Sequence, residues 1–251
     1  MGKPARRLYH EAPRPAAVKG RSKVLLLPGG RAAWPFGTKA ETLARLKPLV
    51  RKATVPELYA FTLADWSRSR EGVLQSILAF AAGRRLVVRS SAAAEDGAWQ
   101  SMAGAYRSCL DVDGADPAAI QAAVTHVLAS YAGNPRDQLL VQPMIASVAL
   151  SGVIMTHDLD SGAPYYVVNY DDESGTTDRV TGGVGVNKTV VVHRDFAPHF
   201  IESPRVAELL EMTRELEEIC GPDEPLDIEF AKANGTLYLL QVRRLAARHN
   251  W

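Results

Sequence analysis

Two alternating segments, Leu226–Ala231 and Leu237–Val242, flank Ala233-Asn234-Gly235 near the end of the chain. Asn-Gly between two such runs is the signature of a tight hairpin turn, because both central positions need a positive φ. The two segments are therefore antiparallel neighbours. Side chains alternate along a strand, so Asp227 and Glu229 point the same way, as do Gln241 and Arg243. Four polar side chains sharing one surface suit either of two arrangements. The oxygens could hold a divalent cation while the guanidinium holds a phosphate oxygen. Equally, the four could form a solvent-facing lattice of salt bridges on an ordinary sheet.

Upstream, helical and strand periods intermingle. Thr38 reads as an N-cap with Glu41 three residues on, a capping-box spacing, and Leu43, Leu46 and Leu49 fall on one face of the helix that follows. Short strands are expected at Val24–Leu27, Leu58–Phe61, Leu86–Arg89, Tyr106–Val112 and Leu139–Gln142. A helix is expected over 71–82, stopped by Gly83, and another after Asp116-Pro117. Leu150–Thr156 and Tyr165–Tyr170, with Asp160-Ser161-Gly162 between them, form a hairpin-like pair. Lys188–His193 alternates as a strand, and 204–220 is an amphipathic helix from Pro204 to Gly221-Pro222. There are no internal repeats. Mixed order with hairpins in the second half predicts an α+β fold and not a doubly wound parallel sheet.

Composition narrows the function classes. The 251 residues carry a net charge of +1, so no global field selects nucleic acid or a membrane surface. No apolar run approaches the ~20 residues that span a bilayer. The basic N-terminus lacks a following apolar segment and reads as an irregular arm over 1–20, not a secretory signal. Two cysteines, Cys109 and Cys220, give neither a metal spacing nor a disulfide framework, which fits buried thiols in a reducing cytoplasm.

Two further features could carry phosphate chemistry. Arg89 ends a buried-type strand, and Ser90, Ser91 and three alanines after it keep the expected loop small enough for close approach of a phosphate. Lys39 lies in the first turn of a helix, where its charge opposes the helix dipole. Each also suits an ordinary solvated surface residue.

Taken together, these segments resemble the ATP-grasp nucleotide-binding domain of the phosphoenolpyruvate synthase and pyruvate phosphate dikinase family, which includes rifampin phosphotransferase. The resemblance lies in Val88-Arg89-Ser90-Ser91-Ala92-Ala93-Ala94-Glu95-Asp96, Ala103-Gly104 with Ser108, and Val141-Gln142-Pro143-Met144-Ile145. It continues through Leu150-Ser151-Gly152-Val153-Ile154-Met155-Thr156 to Asp227-Ile228-Glu229-Phe230 and Tyr238-Leu239-Leu240-Gln241-Val242-Arg243. Gly37-Thr38-Lys39-Ala40 and Val55-Pro56 are similar to its opening segments.

The resemblance implies ATP and Mg2+ in a cleft between two subdomains, 21–135 and 136–251. Lys39 and Arg89 would contact phosphates, with Gly104 and Ser108 in the loop above them. Gln142 and the backbone through Met144 and Ile145 would lie near adenine. Glu229 and Gln241, with Asp227 alongside, would hold magnesium or ribose and phosphate oxygens, and Arg243 would grip the transferred phosphate. Lys39, Arg89 and Arg243 are thus the expected catalytic set, acting by positioning and charge neutralisation. Arg243→Ala is expected to fold normally and lose transfer.

The chain departs from the family pattern in places. Arg244 stands where the family has proline, and Asp178, after Gly175-Thr176-Thr177, stands where it has glutamate. The acidic Asp171, Asp172 and Glu173 nearby suit loop charge or a compensating ligand. The family transfers phosphate to a histidine on a swivelling domain, and none of the six histidines here has that context. The phosphoacceptor is thus a histidine on another domain or chain, giving AMP, or a small molecule, giving ADP. A non-catalytic nucleotide-sensing module is the remaining alternative.

Overall fold

The computed structural model describes residues 34–92, 107–173, 175, 188–197, 200–222 and 224–245. The expected strand at 24–27, the arm, Gly104 and Asp178 lie outside them.

The described chain forms two antiparallel sheets with helices on their outer faces. In order, the elements are α1 (Lys39–Leu46), β1 (Tyr59–Thr62), α2 (Leu63–Arg68), α3 (Arg70–Ala81), β2 (Arg85–Ser91), β3 (Ser108–Asp113), α4 (Pro117–Leu128), β4 (Gln138–Pro143), β5 (Val148–Met155), β6 (Tyr165–Asp171), β7 (Lys188–His193), α5 (Pro204–Cys220), β8 (Leu226–Ala233) and β9 (Thr236–Arg244). The first sheet has the order β1-β4-β2-β3 and the second β7-β6-β5-β8-β9. The fold is mixed, with two sheet-bearing lobes, as the element order predicts.

Each sheet buries one face by the period-two rule. On the first, Leu86, Val88, Leu139 and Val141 pack against Ile77 of α3 and Ile120, Val124 and Val127 of α4. On the second, Leu150, Ile154, Ile228 and Phe230 pack with Leu209, Leu210, Met212 and Leu216 of α5. Each such side chain, fully buried, contributes about 1.5–3 kcal/mol over its exposed state. Gly152 makes the α5 side of β5 possible: a Cβ there would stand 2.2 Å from the Asn169 carbonyl oxygen and 2.8 Å from the Phe230 ring.

Sheet membership changes after Pro143. The strand 138–143 belongs to the first sheet, beyond the 135 boundary drawn from turn signals, while α1 packs against β9 of the second. A backbone pairing decides the first point. Leu139 and Leu140 lie across from Ser90 and Arg89 on one side and from Phe61 and Ala60 on the other.

Three local expectations change. The Ser90-Ser91 stretch is not loop: β2 runs through Ser91, which pairs with Gln138. Ser91 Oγ accepts a 2.9 Å bond from the Ala40 N–H, so it satisfies a free donor of α1's first turn and leaves no room in that role for phosphate. Thr38 does cap α1, accepting from the Glu41 N–H at 3.3 Å, but the Glu41 carboxylate does not return the bond. It accepts from Gln138 Nε2 at 3.3 Å and pairs with Arg45. The full capping box occurs instead at α2, a helix that the periodicity did not reveal: Thr62 and Asp65 exchange side-chain bonds with each other's backbone N–H. The Thr-x-x-Asp spacing was its only signal.

Candidate functional site

The hairpin carries the clearest arrangement. Asn234 and Gly235 have φ of 51° and 79°, and the ladder from that turn pairs Ala233 with Thr236 and Phe230 with Leu239. Continued without a break, that register would set Gln241 opposite Ile228 and turn its side chain into the apolar core. A bulge intervenes. Leu240 is the extra residue, and beyond it Glu229 lies opposite Gln241 and Asp227 opposite Arg243. A bulge shifts the register by one residue, and a one-residue shift exchanges the faces. The bulge thus brings all four polar side chains to the face away from α5.

Across the neighbouring strand the same rows continue. Asp227 stands opposite Met155, and Glu229 opposite Val153. Asp227 Oδ2 accepts from Arg243 Nε at 2.9 Å and lies 2.7 Å from Nη2. Burial pushes the Asp227 carboxyl up, Arg243 opposes that shift, Glu229 adds to it, and the charge of Lys39 also opposes it. Lys39 is therefore close enough to act on this pair. Its side chain is buried at the start of α1, not the solvated surface residue its position also allowed.

On the first sheet, the face away from α3 and α4 is mostly apolar. Val87, Leu110, Ile145, Val148 and Leu240 line a cavity of about 70 Å3 together with Arg89, Gln142 and Met144. Both sheets supply walls: Val87 and Gln142 come from β2 and β4, Val148 and Leu240 from β5 and β9. Gln142 is 3% exposed, and its Nε2 finds no hydrogen-bond partner among the described residues. An unpaired buried amide costs about 1–3 kcal/mol, so it is a donor awaiting an acceptor. Met144 is at the rim, and its N–H donates to the Arg85 carbonyl at 2.9 Å.

The expected residues thus fall into two groups. Arg89, Gln142 and Met144 line the cavity. Asp227, Glu229, Gln241 and Arg243 occupy adjacent rows of the hairpin, with Lys39 acting on the first of them. Leu240, next to Gln241, belongs to the cavity wall. Ser108 lies directly across from Arg89 at the start of β3. The apolar walls Val87, Leu110, Val148 and Leu240 were not singled out from the sequence. Alternation around Arg89 and Gln142 would have pointed to Val87, but Val148 and Leu240 come from the other sheet.

The donor set suits a hard cation. Glu229 and Gln241 face each other with a carboxylate and an amide oxygen, while Asp227 gives Oδ2 to Arg243. Among the described residues no three His, Cys, Asp or Glu side chains are grouped to hold a metal. A divalent cation here would take its other ligands from phosphate oxygens and water, as magnesium does.

The described histidines lie elsewhere. His157 Nε2 sits 2.9 Å from Arg194 Nη1, and burial with that guanidinium pulls its pKa down, holding the ring neutral. His193 is on β7, three strand spacings or ~14 Å from β8. His126 is on α4. Among the described residues no helix is long and apolar enough to cross a membrane.

Residues 42–136 match the family model described as pyruvate phosphate dikinase, AMP/ATP-binding domain. That span contains Arg89, Gly104 and Ser108 and stops before β4 and the hairpin. No curated protein matches the sequence. Among solved structures, the chain is similar to the D-alanine-D-alanine ligase from Coxiella burnetii, with 15% identity and a TM-score of 0.45 over 82% of this chain and 46% of that one. It is similar to the D-alanine-D-alanine ligase from Helicobacter pylori, with 13% identity and a TM-score of 0.47 over 83% and 54%. It is also similar to a RimK domain ATP-grasp protein from Sphaerobacter thermophilus, with 15% identity and a TM-score of 0.45 over 85% and 61%. The chain spans about half the length of the two ligases. With TM-scores below 0.5, the fold description rests on strand order and register. Over 42–136 the chain is similar to an AMP/ATP-binding domain, and its described residues form a two-lobed architecture of two sheets with a cavity walled by both.

Proposed function

We propose that this chain binds Mg-ATP and transfers a phosphoryl group from it to a small-molecule acceptor, leaving ADP. The observation that carries the reading is the bulge-set pairing of Glu229 with Gln241 and Asp227 with Arg243, beside a cavity with apolar walls. The base would occupy the cavity, with the phosphates running toward the hairpin.

Glu229 and Gln241 would hold magnesium, which neutralises charge on the phosphates when bound. Arg243, kept in place by Asp227, would hold oxygens of the transferred group, and Lys39 and Arg89 would add positive charge along the chain of phosphates. In the transfer, the acceptor oxygen bonds to the γ-phosphorus as the bond to the β,γ-bridging oxygen breaks. ADP leaves with that electron pair, and the acceptor's proton passes to solvent. Fixed positive charge of this kind stabilises the transition state without reorganisation.

The match of 42–136 to the dikinase AMP/ATP-binding domain favours a second reading, in which a histidine on another domain or chain is phosphorylated and AMP is formed. None of the described histidines lies in the hairpin rows, so that acceptor would come from elsewhere. A nucleotide-sensing module without transfer is the third.

Calorimetric titration with ATP, with and without magnesium, tests the site. Wild type is expected to bind in a magnesium-dependent way, and Glu229→Ala to lose about tenfold or more in affinity with magnesium. Unchanged affinity would overturn the assignment. Nucleotide analysis after incubation with candidate acceptors separates the readings: ADP supports the first, AMP the second, and saturable binding without turnover the third.

A further inference from the structure

Lys39 is buried at the start of α1, where two costs meet: desolvation of an ammonium and repulsion by the positive end of the helix. A side chain placed there has to be held by its surroundings. Both residues beside it are bonded to the first sheet. Thr38 Oγ1 donates to Gln138 Oε1 at 2.7 Å, and the Ala40 N–H donates to Ser91 Oγ at 2.9 Å. Gln138 Nε2 also donates to Glu41 Oε1, two residues beyond the lysine, at 3.3 Å. The Tyr131 hydroxyl ties the two anchors together: it accepts from the Ser91 N–H at 3.1 Å and donates to the Gln138 carbonyl.

The anchors lie in line with the cavity. On the β2–β4 ladder Ser91 stands opposite Gln138, Arg89 opposite Leu140 and Val87 opposite Gln142. Side chains alternate, so these three rows share one face, and the Ser91 row is ~13 Å along the strand from the Val87 row. Arg89 falls between them. The rest of α1 packs elsewhere, with Leu43 and Leu46 in the core of the second sheet. One sheet therefore carries the helix, and the other fixes its first turn.

We infer that Ser91 and Gln138 are positioning residues for Lys39, setting the rotation and height of α1 so that the ammonium continues the line of charge begun by Arg89. A slip of α1 by one residue would turn the lysine by about 100°. The inference rests on the nucleotide reading above and adds to it two side chains that act only through a third.

The test is a set of double-mutant cycles read by calorimetry on the full chain in magnesium, with ATP and AMP as ligands. Lys39→Met, Gln138→Leu and Ser91→Ala are measured singly, and each of the last two is combined with Lys39→Met. Each single variant is expected to weaken ATP about tenfold, and to change AMP, which has no β- or γ-phosphate, by less than about twofold. In the Lys39→Met background neither second change is expected to weaken ATP further, because residues that work through the lysine couple fully to it. Additive losses overturn the inference, as does an equal loss for AMP, which a merely loosened fold would give. Wild-type ATP affinity in any of the single variants overturns it too. Should Gln138→Leu fail to fold, Ser91→Ala, which removes a single oxygen, decides by its own cycle. Additive losses leave the nucleotide reading standing, whereas no ATP binding by wild type removes both.

Discussion

The two sheets meet the same cavity with opposite chemistry. Each gives one face to helices and buries it in the usual apolar way. The other faces differ. On the first sheet it offers Val87 and Leu110 with Gln142 and Arg89, so most of its area is apolar and its polar groups are few and isolated. On β8 and β9 of the second it offers Asp227, Glu229, Gln241 and Arg243 in consecutive rows, so its polar groups answer one another. A ligand with a flat apolar end and a charged end is the shape that uses both. The difference also separates two kinds of energetic risk. An isolated polar group such as Gln142 costs stability until a ligand satisfies it, whereas a paired set costs stability when one member is removed.

The largest expected effect follows from that pairing. Arg243→Ala strips Asp227 of its two guanidinium contacts in a mostly buried position, so it should destabilise the fold by about 2–3 kcal/mol. The sequence predicted normal folding for this variant, because the salt bridges it allowed on this face were expected to be solvent-facing, whereas the Asp227–Arg243 pair is largely buried. Burial raises the folded-state pKa of Asp227. A raised carboxyl contributes stability in its protonated form, present below the unfolded pKa and lost as pH rises through the folded value. The deficit of the variant should therefore be smallest in acid and grow toward neutrality. Urea midpoints across that range check it, and a deficit independent of pH would break the contrast drawn here.

A middle-sized effect comes from deleting Leu240. The extra residue of the bulge can be removed while Glu229 stays opposite Gln241 and Asp227 opposite Arg243. What is lost is one cavity wall, buried to 5% exposure, at a cost of about 1.5–3 kcal/mol. Binding of inorganic tripolyphosphate with magnesium should persist, and binding of ATP should weaken about tenfold, in line with a lost buried side-chain contact. Equal loss for both ligands would mean that the two faces do not divide the work.

The smallest effect lies outside the cleft and serves as a reference. Hydrogen bonds from Thr62 hold the Asp65 carboxyl below its usual range. A depressed carboxyl stabilises above the unfolded pKa, and that contribution disappears as pH falls through the folded value. Asp65→Asn should cost about 1 kcal/mol at neutral pH, by thermal unfolding, and nothing once the carboxyl is protonated. Its deficit grows from acid to neutrality as that of Arg243→Ala does but is smaller, which makes it a reference for the larger effect in the cleft.

Much of the architecture was legible before the coordinates. The α5 helix and β7 strand match their expected limits of 204–220 and 188–193, because a strong period with proline and glycine at the ends leaves little choice. The Asn234-Gly235 turn was equally plain. The short α2 was not, since six residues are too few to show a period. Nor was the end of β2, where Ser90 and Ser91 have the composition of a loop and the pairing of a strand.

What the sequence determined by itself was local: which segments alternate, where turns fall, and that polar groups concentrate at the last hairpin. Whether Gln241 joins Glu229 or enters the core was decided only by a bulge, because a period of two fixes faces relative to a register and says nothing about the register. The cavity was likewise a tertiary result. Its walls come from residues such as Val87 and Leu240, which look like any buried strand residues until two sheets are brought together around them.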